Sequence, residues 1–251
     1  MGGGRDGGQK DGGEKQDRAH GPKIERAARR GNHVPATGCV SFALEAGGQQ
    51  AHLAEGRSDG RGSVMADLEL DGKLLVAMPG MGDPRFAKSV ILICAHSAEG
   101  AMGLIVNRPS PDLNFRNLLE QLKIPRAPLG RDIRVHVGGP VERGRGFVLH
   151  SRDYAGGPAT MKVGGAYGMT ATLDILEALA RGEGPSQAIL ALGYSGWGPG
   201  QLESEIKANG WLVGEAPEDL VFSRDDAGKW AGALRAMGID PLTLSATAGR
   251  A

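Results

Sequence analysis

Runs of apolar residues between glycine and proline clusters predict the strands of this chain. Residues 90–95 are apolar at every position, which is typical of a strand that is covered on both faces. The run 101–106 follows after the short segment 97–100, and this spacing predicts a hairpin. Five further runs have the length and flanking residues of strands. They are residues 73–78, 133–137, 146–150, 188–192 and 211–213, with a Gly138-Gly139-Pro140 turn between the second and the third.

Apolar residues spaced three and four apart predict the helices. This pattern covers residues 115–122, and Asn114 is positioned to cap the first turn. Three further helices are predicted over residues 170–181, around Leu202 and Ile206, and over residues 229–237. Hairpins early in the chain and helices between strands later on predict an α+β fold. We expect a single domain with a mixed, largely antiparallel β-sheet flanked by helices.

The N-terminal quarter of the chain differs in composition from the rest. Residues 1–66 hold 15 of the 42 glycines, interleaved with charged residues and without apolar periodicity. Such a segment buries too little surface to offset its ordering entropy, so we predict a disordered tail or a wrongly assigned translation start. Residues 23–30 would alternatively be a basic arm for nucleic acid, although acidic residues nearly balance the tail. The predicted domain covers residues 67–240, and residues 241–251 form a C-terminal tail.

Charge and cysteine content restrict the classes of function. The 29 basic and 29 acidic residues give a formal net charge of zero, which makes direct DNA binding an unfavourable hypothesis. Cys39 lies in a polar region and Cys94 in an apolar run, so no disulfide framework is predicted and a reducing compartment is favoured. No apolar stretch approaches the roughly 20 residues that span a bilayer, and no signal-peptide core is present. We therefore expect a cytoplasmic protein.

Three blocks of sequence in the predicted domain have a characteristic order and spacing. The first holds residues 78–86 (MPGMGDPRF) and 103–109 (GLIVNRP), the second 137–141 (VGGPV) and 145–150 (RGFVLH), and the third 193–203 (GYSGWGPGQLE) and 209–211 (NGW). Over about residues 70–240 this pattern resembles the YqgE/AlgH family of bacterial proteins. The resemblance implies a cytosolic α+β fold and, through the AlgH name, a link to transcriptional regulation. It brings no established set of catalytic residues, so each residue is weighed by its own chemistry.

The segment 193–200 has an enzymatic interpretation. Ser195 lies where a predicted strand leads into a predicted helix, which is the context of the G-x-S-x-G nucleophile elbow, and His96 or His150 is the candidate base. Trp197 occupies the position of the second glycine and would crowd the sharp turn. A glycine-rich structural turn is therefore favoured over a serine hydrolase. No histidine or cysteine spacing matches a metal site and no nucleotide fingerprint is present, so neither a metal nor a cofactor is expected.

The same segment has a second interpretation as a binding site for a small anion. Free N–H groups at the start of the following helix would attract phosphate or carboxylate. Polar side chains in turns beside glycine or proline would form a basic rim around it, if those turns meet at one edge of the sheet. The candidate ligand-binding residues are Arg85, Asn107, Arg108, Arg143, Arg145, Ser195 and Trp197. Ordinary solvated turn residues are the alternative for the rim.

These observations favour a non-enzymatic binding or regulatory module over an enzyme. Its partner is predicted to be a protein or a small anion, with no role for a membrane. The alternative is a hydrolase built on Ser195, or a small-anion or nucleotide-binding protein that uses the 193–200 loop.

Overall fold

Nine strands form one curled sheet in the computed structural model, which describes residues 69–244. The strands are Leu74–Ala77 (β1), Val90–Ser97 (β2), Gly100–Ile105 (β3), Arg134–Val137 (β4), Val141–Ser151 (β5), Thr160–Val163 (β6), Tyr167–Thr170 (β7), Ala188–Trp197 (β8) and Trp211–Gly214 (β9). Their order is β6-β7-β5-β8-β3-β2-β1-β9, and β4 also pairs with β8. The β4–β8 pair is parallel and the other pairs are antiparallel, so the mixed, largely antiparallel sheet is confirmed. The predicted tail over residues 1–66 lies outside the described residues, as do 245–251.

Five α-helices accompany the sheet in the part of the chain that the structure describes. They are Phe115–Gln121 (α1), Leu173–Arg181 (α2), Gln201–Lys207 (α3), Glu218–Val221 (α4) and Lys229–Ala236 (α5). Asn114 caps α1 as predicted, because its side chain accepts a hydrogen bond from the Asn117 N–H at 2.9 Å. Helix α2 ends at Gly182, whose φ of 89° lies in the left-handed region that glycine adopts without strain. Within residues 69–244, no helix is long and apolar enough to cross a membrane.

Both faces of the sheet are covered around the central strands. Residues 90–94 are all buried, which confirms the interpretation of this run as an internal strand. Leu92 belongs to the core beneath α5, whereas Ile91 and Ile93 point to the opposite side with Leu202 of α3. A third group of apolar side chains packs α1 and α2 against β5 and β8. The predicted hairpin of β2 and β3 is also confirmed.

The Gly138-Gly139-Pro140 segment joins strands that are not neighbours. The sequence predicted a turn between these two strands. In the structure β4 and β5 lie on opposite sides of β8, and both pair with its residues 189–192. The chain crosses β8 so closely that a Cβ on Gly139 would lie 2.1 Å from the carbonyl carbon of Tyr194. Glycine is therefore needed here for a close backbone approach. Strands β6 and β7 and helix α4 were not predicted from the sequence.

Candidate functional site

Residues from all three sequence blocks surround one cleft at the margin of the sheet. The cleft has a volume of about 480 Å³ and lies beside α3. Its lining includes Met81, Arg85 and Phe86 from the first block, Val141 from the second, and Trp197 and Trp211 from the third. We call it the aromatic cleft. Arg85 and Trp197 are the two predicted site residues that line it.

Three aromatic rings give the aromatic cleft its shape. The ring centroids of Trp197 and Trp211 are 6.0 Å apart with an interplanar angle of 81°. Phe86 meets Trp211 at 5.6 Å and 72°, so both contacts are edge-to-face. Trp197 is the last residue of β8 and Trp211 the first of β9, and their pairing with β3 and β1 holds their backbones in place. The walls of the cleft are thus fixed by the sheet.

Glu205 on α3 is a carboxylate held in the aromatic cleft by neutral donors. Its Oε2 accepts hydrogen bonds from the indole N–H groups of Trp197 at 3.0 Å and Trp211 at 2.8 Å. Its Oε1 accepts one from the Gln201 amide at 2.9 Å. Indoles and amides are uncharged, so they orient this carboxylate without cancelling its charge. Sequence reasoning missed Glu205 as a site residue, although Gln201 and Glu205 stand four apart and thus share a helix face.

An internal ion pair occupies the rim of the aromatic cleft. The guanidinium of Arg85 binds the Asp83 carboxylate through Nε at 3.0 Å and a terminal nitrogen at 2.6 Å. These hydrogen bonds hold the pKa of Asp83 below its usual value. Arg85 also lies over the ring of Phe86, with 6.0 Å between its central carbon and the ring centroid. The charge of Arg85 is therefore already matched within the chain.

Asn107 and Arg108 do not line the aromatic cleft but bind the segment that carries Arg85 and Phe86. The Asn107 side chain accepts from one backbone N–H and donates to one carbonyl of residues 85–90, each at 2.9 Å. Arg108 donates to two carbonyls of the same segment and to the hydroxyl of Ser89. These hydrogen bonds provide partners for backbone groups of residues 85–90 and for the Ser89 hydroxyl. They position the first block rather than contact a ligand.

Arg143 and Arg145 lie on an irregular stretch of β5. The pairing register with β8 shifts between Val141 and Gly146, so the intervening residues bulge from the sheet. Arg143 is exposed, and Arg145 donates to Glu142 at 3.2 Å. Neither residue lines the aromatic cleft. Of the predicted basic rim, only Arg85 is brought to this site.

The predicted glycine-rich turn around Ser195 is wrong, because β8 continues through it to Trp197. β5 pairs with the strand as far as Tyr194, and β3 pairs with residues 195–197 at its end. Ser195 is fully buried, and its hydroxyl donates to the carbonyl of Gly138 at 3.4 Å. Among the hydrogen bonds of the described residues, His150 binds Ser151 and Thr170, and no imidazole binds Ser195. The exposed nucleophile that the elbow requires is absent from this strand.

The anion-binding interpretation of the same segment also loses its geometric basis. The N–H of Gly198 is capped by the Gln201 side chain at 3.0 Å, so it is not free for a ligand. Helix α3 has seven residues, and its first turn contains the acidic Glu203. An anion here would also face the charge of Glu205. The small-anion ligand is thus disfavoured at this position by the charges around it.

A buried charge cluster lies on the other side of the sheet, under α5. Lys229 is 1% exposed and donates to the Val106 carbonyl at 2.6 Å and to Oδ1 of Asp226 at 2.9 Å. The same oxygen is contacted by Arg134 at 2.7 Å and by Nε2 of His136 at 3.0 Å. Burial lowers the pKa of Lys229 to about 8 and also lowers the pKa of His136. Burial opposes ionisation of Asp226, but hydrogen bonds from His136 and Lys229 outweigh it and lower that pKa.

A second cleft, of about 260 Å³, lies beside Arg134 and Phe222. None of its lining residues belongs to the three blocks. The guanidinium of Arg134 is already used by Asp226 and by the carbonyl of Phe222 at 2.9 Å. Across residues 69–244, no three histidine, cysteine, aspartate or glutamate side chains come together as metal ligands would. The aromatic cleft is therefore a stronger candidate site than this second cleft.

Comparisons with known proteins agree with the fold and identify a family. A protein-family model described as AlgH-like matches residues 74–242. A UPF0301 protein of Cereibacter sphaeroides is 70% identical over 184 residues, which cover 73% of this chain and 100% of that protein. One from Ruegeria pomeroyi is 60% identical, with the same shares covered. The solution structure of the AlgH protein from Pseudomonas aeruginosa superposes with a TM-score of 0.59 at 38% identity, covering 76% of this chain and 99% of that one. The chain therefore belongs to the AlgH-like family.

Proposed function

We propose that this chain is a non-enzymatic binding module whose ligand occupies the aromatic cleft. One observation carries the proposal: three blocks that are far apart in sequence supply the walls of a single cleft. Its volume of about 480 Å³ falls in the usual range of ligand sites, roughly 300–1,000 Å³. Aromatic walls with a few fixed polar groups are also typical of such sites. The buried, hydrogen-bonded Ser195 favours this function over hydrolysis.

The proposed module is a preformed site. Its aromatic side chains are fixed by strand pairing and by Glu205, so a ligand would meet walls that are already in place. A preformed site binds with a smaller loss of conformational entropy. A regulatory role would then depend on whether the cleft is occupied. That role and the cytoplasmic location stay predictions.

The three tryptophans of the chain permit a direct test. The indole N–H groups of Trp197 and Trp211 lie in the aromatic cleft, whereas that of Trp230 donates to the Ala77 carbonyl. We would record the three indole signals of the ¹⁵N-labelled full chain by NMR. Each member of a panel is then added: nucleotides, inorganic phosphate, and capped amino acids with acidic, neutral, aromatic or basic side chains.

At least one class in the panel is expected to shift the Trp197 and Trp211 signals and to leave Trp230 in place. A panel that moves neither cleft indole, or all three equally, would argue against a ligand site in the cleft. A fluorophosphonate probe tests the enzymatic alternative on the same sample. We expect no label on Ser195, and a labelled Ser195 would overturn the non-enzymatic assignment.

A further inference from the structure

We infer that the aromatic cleft receives an arginine side chain from a partner protein, an inference that rests on the proposed function. Three charged residues line the cleft: Asp83, Arg85 and Glu205. The first two neutralise each other at the rim. The charge of Glu205 remains, since its three hydrogen-bond donors are all neutral. The cleft thus carries a net negative charge beside aromatic rings, and the complementary ligand is a cation.

Aromatic walls strengthen this preference for a cation. The faces of indole and phenyl rings carry partial negative charge and attract cations within about 6 Å, most strongly in the case of tryptophan. Of the rings that line the cleft, Trp197 and Trp211 are only 7% and 2% exposed, so the partly exposed ring of Phe86 is the one that a cation can approach. A small anion would be repelled by the same groups, and a neutral ligand would leave the Glu205 carboxylate without a counter-charge.

Two features favour arginine over lysine. A guanidinium is planar, stacks on aromatic rings and is hydrated more weakly than an ammonium, so it enters a partly buried site more readily. The rim already shows this chemistry within the chain, because Arg85 lies over Phe86 while it binds the Asp83 carboxylate. A carboxylate offers about four acceptor positions. Glu205 uses three, and the fourth is available to one N–H of an incoming guanidinium.

The test compares two probes that differ in charge and hardly in shape. Acetyl-arginine-methylamide and its citrulline counterpart are titrated into the ¹⁵N-labelled full chain, with the three indole signals as the readout. We expect the arginine probe to shift Trp197 and Trp211 with an affinity about tenfold or more above that of citrulline, as a charged hydrogen bond provides. Trp230 should not respond.

Glu205→Gln removes the charge and keeps one amide oxygen as an acceptor. In this variant the preference for arginine over citrulline is expected to fall to about twofold or less. Glu203→Gln is the matched control on the same helix, because Glu203 contacts His96 and does not line the cleft. The Glu203→Gln variant should keep the tenfold preference for arginine over citrulline. If a variant fails to fold, the comparison of the two probes on the unmodified chain still tests the inference.

Each other outcome overturns the inference in a different way. Equal affinities of the arginine and citrulline probes would refute a cationic ligand, and tighter binding of capped lysine, acetyl-lysine-methylamide, would refute the guanidinium. Free L-arginine binding as tightly as the capped form would identify a metabolite rather than a protein side chain. In all three cases the proposed ligand site survives if some probe shifts the two cleft indoles, whereas it fails if the whole panel leaves them unmoved.

Discussion

Replacement of Asp226 by asparagine is expected to destabilise the fold by an amount that depends on pH. Arg134, His136 and Lys229 all contact the same oxygen, Oδ1, of Asp226. Asparagine retains an oxygen at that position. The substitution therefore removes the negative charge while the geometry of the buried charge cluster is kept.

The loss of stability has an upper limit, because Lys229 can give up its positive charge. A buried ammonium that loses its counter-charge can release its proton. Burial lowers the pKa of Lys229 to about 8, so releasing the proton at pH 7 costs about 1 kcal/mol. At pH 9 most of this lysine is neutral before the substitution. We expect Asp226→Asn to reduce the free energy of unfolding by about 1 kcal/mol at pH 7 and by much less at pH 9.

Urea unfolding of the full chain at pH 7 and pH 9 measures both values. In the parent protein, the folded state binds fewer protons than the unfolded state between about pH 8 and 10.5, so stability rises with pH in that window. Asp226→Asn extends this rise to lower pH, and adding Lys229→Met abolishes it. Exposed Asp132→Asn, the control, should change stability by less than about 0.5 kcal/mol. A loss that is equal at both pH values, or larger at pH 9, would refute the reasoning.

Three further predictions concern other buried groups. Gly139→Ala should cost about 3 kcal/mol or prevent folding, because its Cβ would lie 2.1 Å from Tyr194, whereas Gly82→Ala has open space and should leave the melting temperature unchanged. Burial raises the pKa of Cys94 to about 12, so iodoacetamide at pH 8 should not alkylate it in the native protein. Peptide mapping by mass spectrometry measures this, and an alkylated Cys94 would contradict the prediction. Burial lowers the pKa of His150, so the free energy of unfolding should fall as the pH drops below about 6.5, and less steeply in His150→Gln.

Local signals in the sequence predicted most of the elements. The uninterrupted apolar run of β2 and the Asn114 cap of α1 depend on residues within one element, and both predictions are confirmed. The placement of β4 depends on a crossing over β8, which no local pattern records. Strands β6 and β7 are four residues each, too short for their periodicity to stand out from the surrounding glycines.

The three sequence blocks predicted the position of the candidate site. The types of individual residues, such as arginine or serine, did not. Arginines beside glycines indicated a basic rim, but Arg108 serves to hold a neighbouring segment through its carbonyls. Ser195 and its flanking glycines indicated a turn, because glycine in a single sequence does not distinguish a turn from a close contact between strands. A Cβ on Gly193 would lie 2.6 Å from the Val141 carbonyl oxygen, which shows that this glycine permits contact within the sheet.

The crossing at Gly139 and the aromatic cleft both depend on strand β8. The chain crosses β8 at Tyr194, and this crossing delivers Pro140 and Val141 to the cleft. β8 then continues as a paired strand to Trp197, which places the indole against Glu205. A turn at Ser195 would have ended the strand before Trp197 and moved this wall. Burial of Ser195 and formation of the cleft are therefore consequences of the same continuous strand, and this links the lack of an exposed hydroxyl at Ser195 to the position of the cleft wall.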